Sequence, residues 1–113
     1  MEYRCEMVND VQKVSLDGRL VAAFSEGFKA KMFEHLSGQK KVVFDLSKMA
    51  HIDSSGLGAL VAILQWLNAN GGVMKLACLQ PRPKIVFDIT HVGRLFEIYD
   101  TVEEALASFN APA

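Results

Sequence analysis

An α/β fold, a mainly parallel sheet entered through an antiparallel hairpin with helices packed on it, is predicted by three features of the sequence. Residues 3–8 and 12–20 alternate polar and apolar, the period of half-buried strands. Leu20, Phe24, Phe28, Met32 and Leu36 then recur every fourth residue, a helical stripe. Val42-Val43-Phe44 is continuously apolar up to Asp45, as in a strand covered on both faces of a parallel sheet. The 113 residues suit one domain, 1–113, with a core of its own.

Each element follows in order. Asn9-Asp10 separates the two alternating runs and suits a tight hairpin turn. Ser37-Gly38 ends the first helix. After the strand 42–46 a loop leads to Asp53, and a second helix is expected from about Gly56 to Asn70, stopped by Gly71-Gly72. Residues 73–79 form another strand. Pro81 and Pro83 open a short helix whose Ile85, Val86 and Ile89 are expected to face inward. Residues 96–99 make a short strand. Thr101 to Glu104 is a capping box, and Val102, Ala105, Leu106 and Phe109 give the last helix its apolar face. The tail 110–113 is expected to be loose. The predicted order is β-β-α-β-α-β-α-β-α.

Composition narrows the function classes. Half of the residues are hydrophobic and 22% are charged, which separates the chain from disordered sequences. A net charge of −1 supplies no basic field for nucleic acid. Cys5 and Cys78 form no CxxC and no zinc spacing, and each sits in a strand-like run. They read as buried free thiols, which suits a reducing compartment. No run approaches the roughly 20 apolar residues of a membrane span, and the first residues carry no apolar signal core. A cytoplasmic protein without membrane insertion is expected.

The stretch His51-Ile-Asp-Ser-Ser-Gly-Leu-Gly-Ala-Leu60 is the candidate site, since sites in open α/β sheets gather beyond the carboxyl ends of strands. A nucleophile elbow needs Gly-x-Ser-x-Gly, and Ile52 stands where the first glycine belongs. Nothing in the sequence pairs His35, His51 or His91 with a serine. A dinucleotide fingerprint fails at Val61, and no Gly-x-x-x-x-Gly-Lys loop is present. Asp45 and Asp53 lack a third ligand at metal spacing. No catalytic residue, cofactor or metal is therefore assigned. Two readings stay open. One is a plain helix cap, a role Ser55 can fill alone. The other is modification of Ser54, with Gly56 clearing space beside it. A phosphate there meets the positive end of a helix dipole and adds about −1.5 to −2 charges next to Asp53.

The helix after this stretch is apolar nearly all round. Leu57, Leu60, Val61, Leu64 and Leu67 form a core stripe, while Ala59, Ile63 and Trp66 form a second. The second stripe is either covered by a neighbouring helix or is a docking patch anchored by Trp66.

Residues 42–64, VVFDLSKMAHIDSSGLGALVAIL, resemble the signature of the STAS domain, specifically the bacterial anti-sigma factor antagonists. The resemblance extends to Val14–Leu20 with its Gly-x-Leu, and to residues 71–106 with Leu-Phe-x-Ile-Tyr and Glu-Glu-Ala-Leu. It implies a non-enzymatic protein–protein switch. In that family the serine after the aspartate, here Ser54, is phosphorylated by a GHKL-type serine kinase that is also an anti-sigma factor. The unphosphorylated form binds the kinase and frees the sigma factor, and a PP2C-type phosphatase restores it. The implied partner surface comprises Asp53, Ser54, Ser55, Gly56 and Leu57, with Ile63 and Trp66 on the second stripe, and the chain is expected to be a monomer or weak dimer. The resemblance also admits a STAS scaffold outside sigma control, either stressosome-like or a cytoplasmic component of a phospholipid ABC transporter. One departure is Val21, where the family often carries an acid after Gly-x-Leu.

Overall fold

In the computed structural model, residues 1–110 are described. The hairpin comes first: β1 (Glu2–Val8) and β2 (Val11–Leu20) pair antiparallel from Glu2↔Asp17 to Val8↔Val11. Asn9 turns the chain at φ 58°, the left-handed conformation that tight hairpins require and asparagine tolerates. There follow α1 (Ala22–His35), β3 (Lys41–Ile52), α2 (Ser54–Ala69), β4 (Val73–Ala77) and α3 (Pro81–Thr90). A 3-10 turn (Val92–Leu95), β5 (Glu97–Tyr99) and α4 (Val102–Ser108) complete the chain. The sheet order is β1-β2-β3-β4-β5, and every pair after the hairpin is parallel. The predicted order of strands and helices is observed, with the 3-10 turn added.

Strand alternation divides the core in two. Val14, Leu16, Val42, Phe44, Met74 and Leu76 point to one face, where Phe28 and Met32 of α1, Leu60, Ile63 and Leu67 of α2, and Phe87 of α3 cover them. Val11, Val43 and Ala77 point to the other, under Ala105, Leu106 and Phe109. Val42, Val43 and Phe44 are fully buried, as expected of a strand covered on both faces. Thr101 caps α4 with half of the expected capping box: its Oγ1 accepts the Glu104 N–H (3.1 Å), while the Glu104 carboxylate takes the Thr101 hydroxyl (3.2 Å) rather than its backbone N–H. The end of α4 is held by a cation that the sequence left unplaced. Lys75, 6% exposed, donates through Nζ to Ser108 Oγ (2.7 Å), and Nζ lies 4.2 Å from the Phe109 ring centre.

Several expectations need correction. β3 does not stop at Leu46; its pairing with β2 continues to Leu20↔Ile52, through register shifts between Ser15/Asp17 and Gly18/Arg19. Past Leu46 only Met49 and Ile52 are buried, so the apolar run that marks a central strand was absent there. Phe24 is exposed. Residues four apart drift by roughly 40° around a helix, so a strict four-residue stripe walks off the buried face, and Ser25 takes the inward place. On α3 the buried residues are Pro83 and Phe87, the latter edge-to-face with Phe96, while Ile85 and Ile89 face solvent and Val86 is half-buried. The phase set by Pro81 allows one inward ridge, and the largest side chain occupies it. Both cysteines are free and half-buried rather than buried; Cys78 lies just past β4 at φ 62°. Of the tail, Asn110 closes a turn onto the Ala107 carbonyl, and 111–113 lie outside the described residues.

The second stripe of α2 is core. Ala59 and Ile63 are buried, and α1 covers them; Trp66 is half-buried with its ring 5.0 Å from that of Phe33. Ile63→Ala should therefore cost about 2–5 kcal/mol in urea unfolding, while Phe24→Ser should stay within about 0.5 kcal/mol of wild type.

Candidate functional site

The parallel pair Leu20↔Ile52 sets two strand ends side by side, so α1 and α2 start next to each other. Asp53 stands between them in extended conformation (φ −112°, ψ −175°) as the N-cap of α2. Its Oδ1 accepts the Gly56 N–H at 2.9 Å. Its Oδ2 accepts the N–H of Ala22, the first residue of α1, also at 2.9 Å. Val21, the N-cap of α1, makes no side-chain cap bond. The start of α1, whose own cap residue has no polar side chain, is thus capped by the carboxylate that follows β3. The Gly56 N–H, and after it the Ala22 N–H, hold the Asp53 carboxyl below its ordinary value of 3.8 against the opposing effect of desolvation.

This geometry revises two expectations. Ser55 is not the cap; the helix starts at Ser54, ahead of the expected Gly56, which puts Ser55 inside the first turn and leaves the cap to Asp53. Gly56 does not open space beside Ser54. It is buried, and a Cβ there would lie 2.1 Å from the Leu20 carbonyl oxygen. The glycine lets α2 close onto the end of β2. The spacing Asp53-x-x-Gly56 carried this signal, since an N-cap side chain bonds the N–H of the third helical residue.

Ser54 and Ser55 are both exposed on the first turn. Gly58, Ala62 and Gln65 extend the surface from Ser54 along α2, and Thr90 and Val92 form the opposite wall of a shallow groove. His51, three residues before Ser54, pairs with Arg19 across the strands and its Nε2 lies 3.2 Å from Arg82 Nη1. Nothing in the sequence spacing pointed to Arg82, Thr90 or Val92, because α3 reaches this end only through the fold. His35 bonds Tyr3 and His91 ends α3 at φ 60°. Of the expected surface residues, Asp53, Ser54 and Ser55 do come together, while Gly56 is buried. Leu57 (3% exposed) and Ile63 (0%) belong to the core, and Trp66 leans on Phe33. Among the described residues no three His, Cys, Asp or Glu side chains cluster for a metal, and no helix is long and apolar enough to cross a membrane.

Gly56→Ala must push α2 off the Leu20 carbonyl and should lower stability by about 3 kcal/mol or more in urea unfolding. Asp53 has a lower pKa folded than unfolded. Its contribution is therefore complete above the ordinary carboxyl value and is lost as pH falls through the lower folded value. Asp53→Asn should flatten this acid limb in urea midpoints taken from neutral pH down to about pH 2.

Comparison with known proteins agrees with the fold. The STAS domain matches residues 4–105. A Thermotoga maritima protein, which its name places provisionally among anti-sigma factor antagonists, is 30% identical over 103 residues, covering 89% of this chain and 91% of its own. A crystal structure of such an antagonist from the same organism superposes with a TM-score of 0.90 at 28% identity, over 96% of this chain and 95% of that one. The Bacillus cell fate determinant SpoIIAA in its phosphorylated form shares the fold, with a TM-score of 0.73 at 24% identity over 96% of this chain and 99% of that one. The chain belongs to the STAS domain family.

Proposed function

We propose that this protein is an anti-sigma factor antagonist that works as a phospho-regulated protein–protein switch at Ser54. Unphosphorylated, it binds an anti-sigma factor that is also a GHKL-type serine kinase, and the sigma factor is released. Phosphorylation of Ser54 ends the binding, and a PP2C-type phosphatase restores it. The kinase brings the nucleotide, so the chain itself needs no cofactor and acts as a binding module rather than an enzyme. The setting in this reading is the cytoplasm.

One observation carries the reading. Ser54 is exposed at the first position of α2, while the bonds that hold this junction run through Asp53, Ala22 and Gly56. A phosphate on Ser54 leaves those bonds in place and sits by the positive helix terminus. Its charge falls on the docking surface and not on the core. Loss of about 3–4 kcal/mol there weakens binding by roughly two to three orders of magnitude. The names of the sequence relatives favour an anti-sigma factor as the partner. SpoIIAA, which shares this fold, exists in a phosphorylated form, and that favours a serine switch here.

Pull-down from the source cell, with mass spectrometry of partners and of Ser54, tests this. A kinase-like partner should accompany only unmodified protein. Ser54→Ala should bind it constitutively, and Ser54→Asp should bind at least about tenfold more weakly. Both variants binding like wild type would remove Ser54 from the switch. A transporter or scaffold partner with Ser54 never modified would favour a STAS role outside sigma control.

A further inference from the structure

The two edges of the sheet differ. β5 offers only three residues, Glu97–Tyr99. β1 offers seven, without proline or glycine, and its register with β2 is uninterrupted from Glu2 to Val8. A long regular edge is a template for another strand unless something blunts it. The two-residue turn makes Val8 and Val11 a hydrogen-bonded pair. By alternation Glu2, Arg4, Glu6 and Val8 direct their N–H and C=O groups to β2. Tyr3, Cys5 and Met7 direct theirs outward, to the free edge.

We propose that β1 pairs antiparallel with β1 of a second copy of this chain, Cys5 opposite Cys5 on a two-fold axis. Charge and overlap together choose this register: centred on Tyr3, Glu2 would also face Arg4, but Glu6, Met7 and Val8 would lie beyond the partner's β1. Centred on Cys5, Arg4 of each copy faces Glu6 of the other, on the sheet face that carries Lys13 and Ser15. Centred on Arg4, arginine would face arginine and Glu2 would face Glu6, which repel. Centred on Glu6, the two glutamates would face each other and Tyr3 would lie beyond the partner strand. The apolar side agrees: Met7, 51% exposed in the single chain, lies opposite Tyr3 of the other copy. The outward groups of Tyr3, Cys5 and Met7 supply the bonded pairs. Such an isologous contact closes on itself and doubles the five-stranded sheet. The strands run oppositely in the two copies, so the Ser54 ends lie at opposite ends of the assembly and both stay open. The inference does not depend on the reading of Ser54.

Sedimentation and amide hydrogen exchange on the full chain test it. The wild type should pass from one-chain to two-chain mass over a range reaching roughly 1 mM, and exchange at the Tyr3, Cys5 and Met7 amides should slow with it. Arg4→Glu and Glu6→Arg each create like-charge pairs, and each alone should raise the dimer Kd at least about tenfold. Mixed in equal amounts they should associate with each other, since glutamates at both positions then face arginines. Circular dichroism and urea midpoints matching wild type establish that the variants fold; if Glu6→Arg, which also loses its pairing with Lys13, does not, Met7→Lys replaces it and is read by its own dimer Kd, which should rise at least about tenfold. One-chain mass at every concentration, a dimer whose three outward amides exchange no more slowly, or charge variants that neither weaken alone nor recover on mixing would each overturn the proposal.

Discussion

One carboxylate ties the molecule together where α1 and α2 begin. Asp53 closes the N-terminus of its own helix and that of α1, whose cap residue Val21 has no polar side chain. The shared duty is possible because the parallel pairing of β2 and β3 brings Leu20 and Ile52 level. It also depends on Gly56, since any side chain there would strike the Leu20 carbonyl and force the two helix starts apart. The junction is thus fixed by backbone groups and one acid, and the serines beside it remain free of structural work.

That division suits a switch in which the fold stays constant and the surface changes. A modified residue that also capped its helix would couple every modification to stability. Here the cap lies one residue before Ser54, and the helix behind it is anchored on both sides. Leu60, Leu64 and Leu67 pack on the sheet, and Ala59 and Ile63 pack beneath α1. Residues buried this far present a rigid platform, so a charge added at Ser54 would change the surface and not the core.

The opposite face of the sheet is built more sparingly. α4 alone covers it, over β3, β4 and β5 and the Val11 end of β2, with Lys75 reaching under it to Ser108 and Phe109. Beyond its reach Arg4, Glu6, Lys13 and Ser15 leave the outer strands polar, and Lys13 pairs with Glu6 at 3.2 Å. A strand with an apolar face on the core and alternating charges on the other is what gives the β1 edge a register to choose.

The sequence by itself determined the fold. Strand and helix periods are local properties, and the DSSG motif in its strand-to-helix setting named the family. Three things were decided only by tertiary contact. Whether the stripe of Ala59, Ile63 and Trp66 faces solvent depends on where α1 lies, and a hydrophobic pattern is the same for a covered face and a docking face. Whether Ile85 and Ile89 or Pro83 and Phe87 turn inward depends on helix phase, which a ten-residue segment of mixed polarity leaves open. Gly56 looked like room for a partner and is in fact room for the Leu20 carbonyl, because the atom that demands it comes from a strand distant in sequence.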